Sequence, residues 1–124
     1  MKHVELIDLL NALPMPMTRT DKLLHWAKLI RATPLPVWLF NRLEYYTPDQ
    51  LAQMKVRAND GSYLGLAAGD PVLHAQGLKA ETNLWDIMQF FALTHNELHS
   101  FSCDCGRIVS REMMAERIEA IAKR

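Results

Sequence analysis

His95, His99, Cys103 and Cys105 fall in one short stretch and include both cysteines of the chain. His95 and His99 are four residues apart, so on one helix they share a face and can chelate a single ion. Cys103 and Cys105 follow closely enough to bring two thiolates to the same place. The four together make a His2Cys2 set suited to zinc. The run His-Asn-Glu-Leu-His differs from the zinc-protease motif, because glutamate stands third rather than second. Cys-x-Cys also differs from the Cys-x-x-Cys of common zinc knuckles. A plainer reading stands beside this one. His95 would be solvated in the first turn of its helix, and His99 would cover or hydrogen-bond the core. Cys103 would be a small buried hydrophobe, and Asp104-Cys105-Gly106 an ordinary turn. No other cofactor is implied.

Two further chemistries can be weighed on the same residues. A thiol enzyme needs a stabilised thiolate, which Arg107, His99 or the start of the last helix could supply to Cys105. It also needs an orienting group and an oxyanion site, and no residues of the sequence stand out for either, so the reading leans away from an enzyme. A helix-turn-helix outline with Leu93-Thr94 in the turn raises DNA recognition. Charge argues against it: no Lys or Arg occurs from Ala80 to Gly106, whereas Glu81, Asp86, Glu97 and Asp104 do. A recognition helix needs cations for the phosphates.

The elements that must position these residues are read as helices. Thr82 or Asn83 caps a helix carrying Leu84, Trp85, Ile87, Met88, Phe90 and Phe91, with only Asn83, Asp86 and Gln89 interrupting its apolar surface. A helix apolar on nearly every side is expected to be buried, so residues 83–92 are expected to form the core. Thr94 and Glu97 form a capping box that starts a second helix at His95, running to about Phe101.

Upstream, His3 to Leu13 has helical periodicity and ends at Pro14. Thr18 and Asp21 suit a capping box, with Thr20 a competing cap, for a helix to about Ala32 that buries Leu23, Trp26, Ala27, Leu29 and Ile30. Val37, Phe40 and Leu43 fit another helix. Thr47-Pro48-Asp49-Gln50 is the best helix start in the chain, for a helix expected to run to about Arg57. An alternative makes Asp60-Gly61 the turn of a hairpin between 55–58 and 62–66. Gly61, Gly65 and Gly69 recur at every fourth residue, a spacing for close packing and turns that matches no phosphate-loop pattern. Asp70-Pro71 starts a short helix, with Gly77 closing it. Ser110 caps the last helix, which carries Met114, Ile118 and Ile121 inward and offers a Glu119–Lys123 pair.

The chain of 124 residues has 14 basic and 14 acidic side chains and a formal charge of zero. That balance gives no electrostatic footprint for nucleic acid or an anionic membrane, and it leaves little repulsion between copies. No apolar run approaches the length that spans a bilayer, and Glu5 and Asp8 interrupt any leader-like segment. Two cysteines one residue apart make a poor disulfide framework, which points to a reducing cytoplasm. The expected architecture is all-α, a compact single-domain bundle over 1–124 of about six or seven helices around the buried helix near 83–92. The expected role is a non-enzymatic binding, regulatory or self-associating module with a protein partner or a second copy. The alternative is a zinc-type metal-binding domain using His95, His99, Cys103 and Cys105.

Overall fold

In the computed structural model, residues 16–33, 47–99 and 110–124 are described. The expected helices at His3–Leu13 and Val37–Leu43, and both cysteines, lie outside these residues.

Helix α1 (Arg19–Ala32) begins where the sequence says it should. Thr18 Oγ1 accepts the Asp21 N–H and the Asp21 carboxylate accepts the Thr18 N–H, which completes the box. Its inward face buries Leu23, Trp26, Ala27 and Ile30. Helix α2 (Pro48–Gln53) opens with the reciprocal Thr47–Gln50 box. It ends short of the expected Arg57, because Lys55–Arg57 is a strand, β1. Val56 is buried while Lys55 and Arg57 face outward, as the alternation of a strand requires.

Strand β1 pairs antiparallel with β2 (Glu81–Asn83), Val56 opposite Thr82, rather than with residues 62–66. The chain is therefore mostly helical with a small two-stranded sheet, which corrects both the all-α reading and the local hairpin. Between Arg57 and Ser62 the chain turns through Asn59 and Gly61, both at positive φ. Helix α3 (Tyr63–Ala68) then lies under that turn. A Cβ added at Gly65 would stand 1.9 Å from Asp60 Oδ1 and 2.8 Å from the Arg57 carbonyl oxygen, so close approach accounts for that glycine.

Asp70 caps α4 (Pro71–Ala75). Gly77, at φ 110, turns the chain beyond it, and the Leu78 N–H returns to the Leu73 carbonyl. Helix α5 (Leu84–Phe91) follows β2 directly, α6 is His95–His99, and α7 (Arg111–Ala122) is capped by Ser110.

Helix α7 packs along α1 and buries Met114, Ala115, Ile118 and Ile121. Arg31 of α1 reaches Glu112 at 2.8 Å and Glu119 at 2.7 Å, so Glu119 bonds across to α1 while the Lys123 charge also favours its ionised form. The two carboxylates hold the Arg31 guanidinium further above its ordinary value, and Arg31 in turn holds both of them down. The buried residues form one cluster, within which the Trp26 and Phe91 rings stack at 4.8 Å between centroids. The Trp26 indole N–H is satisfied by the Tyr63 carbonyl at 2.9 Å.

Candidate functional site

The helix that leads into the candidate residues, α5, is held at both of its ends. Asn83 caps α5 by accepting the Asp86 N–H at 2.9 Å, and the helix closes at Ala92 with a left-handed φ of 51. Such a conformation costs an alanine about 1 kcal/mol or more, so something must fix it. Part of the answer is Arg19, whose Nε–H donates to the Ala92 carbonyl at 3.1 Å. The same guanidinium donates to the Ile121 carbonyl near the end of α7 at 3.2 Å. Two helix C-termini, each with a partial negative charge, thus share one cation.

The third arm of Arg19 meets Glu97 at 3.1 Å, with Arg124 at 3.5 Å on the same carboxylate. Glu97 is only 7 % exposed and is also the box residue of α6, accepting the Thr94 N–H at 2.9 Å while its own N–H donates to Thr94 Oγ1. Burial pushes the Glu97 carboxyl up. The Thr94 N–H and the Arg19 charge outweigh that push and hold it below its ordinary value. Glu97, within the stretch that has no Lys or Arg of its own, is therefore neutralised by two cations distant in sequence. Arg19 carries one sequence signal: a cation at the first helical position opposes the helix dipole and so implies a partner elsewhere.

Helix α6 carries both histidines, as the capping box implied, with His95 exposed and Leu98 fully buried. Cys103, Cys105 and the His99 side chain lie outside the described residues, so the His2Cys2 set is neither assembled nor broken by the structure. Among the described residues, no group of three or more His, Cys, Asp or Glu side chains could hold a metal. His25, assigned no role from sequence, bonds Asp70 at 2.8 Å and ties α1 to the cap of α4. His74 bonds the Ala68 carbonyl.

The buried-helix reading of α5 needs correction on one side. Leu84, Ile87, Met88 and Phe91 face the core, but Phe90 is half-buried and Trp85 is 47 % exposed. The core lies along one flank of α5 only, so an apolar residue on the opposite flank gains no cover from being on an apolar helix. Beside that outer flank the loop after α4 and the start of β2 form a cleft of about 370 Å3. Composition alone gives no sign of either feature. On α7, Met114 is fully buried while its neighbour Met113 is exposed. Among the described residues, no helix is long and apolar enough to cross a membrane.

Comparison with protein-family models, with curated proteins and with solved structures finds no match for the chain, so the site is read from its own geometry alone.

Proposed function

We propose that the chain is a non-enzymatic cytoplasmic module that associates with a second copy of itself through the outward flank of α5. The observation that carries this reading is Trp85, 47 % exposed and without a ring partner among the described residues. Tryptophan offers the largest apolar area of any side chain and is enriched where surfaces become interfaces. A self-complementary patch suits a two-fold dimer, in which each Trp85 packs against the α5 of the other copy. The formal charge of zero leaves little Coulomb repulsion to oppose that approach. Sedimentation equilibrium at roughly 10–300 µM, a span that brackets the affinities expected of a small patch, tests this. The wild type is expected to move from a 14.2 kDa monomer towards twice that mass. Trp85→Glu is expected to stay monomeric, with a melting temperature equal to that of the wild type at concentrations too low for the dimer to form. A wild type that remains monomeric throughout overturns self-association.

A second reading is favoured by one observation: His95 and His99 do lie on one helix, α6, with the spacing that chelation requires. In this reading Cys103 and Cys105 complete a zinc site. Metal analysis of untagged protein is then expected to give about one equivalent of zinc, with a loss of stability on chelation because the ion adds to the folded state. Less than about a tenth of an equivalent overturns it.

A further inference from the structure

The cleft beside α5 has an apolar floor with charged and amide groups around it. Its apolar floor is Leu78, which is buried, and Phe90. Phe90 is fixed in place: the Lys22 ammonium stands 4.3 Å from its ring centroid, and donates to its carbonyl at 3.3 Å. The Phe90 and Phe91 rings pack edge to face, with centroids 4.9 Å apart. Around this floor stand Lys79, Asp86 and Gln89, one cation, one anion and one amide, all exposed. Among the described residues neither Lys79 nor Asp86 has an ion pair, and the one side-chain hydrogen bond of the Asp86 carboxylate is a long 3.4 Å contact from Thr82. Opposite charges that line one cleft without pairing leave hydrogen-bonding capacity for a solute carrying both complementary charges. The mouth is open at Gly77, where an added Cβ would find nothing within 4 Å.

We infer that this cleft binds a small zwitterion with an apolar tail, of the free apolar α-amino acid class. The ligand ammonium would meet Asp86 and its carboxylate would meet Lys79 and the Gln89 amide. The side chain would lie on Leu78 and Phe90. A cleft of about 370 Å3 has room for such a molecule. The pinned aromatic floor reduces the ordering cost of binding. The cleft shares the outward flank of α5 with Trp85, which is not among its lining residues; repeating the leucine titration on Trp85→Glu separates its outcome from that of the dimer.

L-leucine titrated into isotopically labelled full-length protein, followed by amide NMR shifts, tests the inference. Saturable shifts confined to Gly77–Lys79 and Asp86–Phe90 are expected, with a Kd on the order of 1 mM or tighter. Leucinamide and N-acetyl-leucine each lack one charge and are expected to bind about tenfold more weakly, as is leucine to Lys79→Ala. The amide spectrum of that variant should otherwise overlay the wild type. Equal binding of leucine and its charge-deleted analogues overturns the inference. So does the absence of saturation up to about 20 mM, well above the affinity proposed.

Discussion

Phe91→Ala is expected to lower the unfolding free energy by about 3–5 kcal/mol, the largest effect of any single truncation considered. The ring is fully buried and stacks on Trp26 at 4.8 Å with an interplanar angle of 17°. Removing it loses the burial of a large apolar side chain. It also leaves a void bounded by Trp26, whose indole is held by the Tyr63 carbonyl and so cannot swing freely to fill the space. At roughly 3–5 °C per kcal/mol for a domain of this size, a thermal melt should read a fall on the order of 10–20 °C. A loss below about 1 kcal/mol, the level of a surface substitution, would mean that α5 does not supply the core.

The second large effect is electrostatic. Arg19→Met is expected to cost about 3 kcal/mol, because it removes the nearer of the two cations on the buried Glu97 carboxylate, leaving the longer contact from Arg124 beside the Thr94 N–H. It also removes donors from the Ala92 and Ile121 carbonyls, so the closing turns of α5 and α7 lose support together. The pH dependence separates the two parts. Glu97 titrates in the folded chain below its unfolded value of 4.5. Its contribution is therefore fully present above that value and is lost as the pH falls through the folded value. The stability difference between wild type and Arg19→Met should be constant near neutrality and narrow in acid, leaving the remainder due to the two carbonyls. Urea unfolding at a series of pH values measures this. A difference that widens in acid would contradict the assignment.

Much of this was legible in local sequence, for a physical reason. Caps are made by residues three apart, so Thr18–Asp21, Thr47–Gln50, Thr94–Glu97 and Ser110 could each be placed from the chain alone, and each is formed. The inward residues of α1 and α7 were equally plain, since a stripe at helical spacing has to be covered. Contacts between distant residues carry no such local signal. Val56 forms a strand because Thr82 lies beside it, and Glu97 is tolerable in the interior because Arg19 comes from the start of the chain. Trp85 shows the limit most directly. An apolar helix states how much surface it has to bury, not which flank the rest of the chain will reach.

That outward flank is where the functional proposal stands. Isotope-filtered NMR on a mixture of labelled and unlabelled protein, at a concentration where sedimentation shows the dimer, tests it most directly. Contacts from the Trp85 indole of one copy to α5 of the other are predicted. A dimer whose intermolecular contacts fall elsewhere, with none from Trp85, would contradict the account.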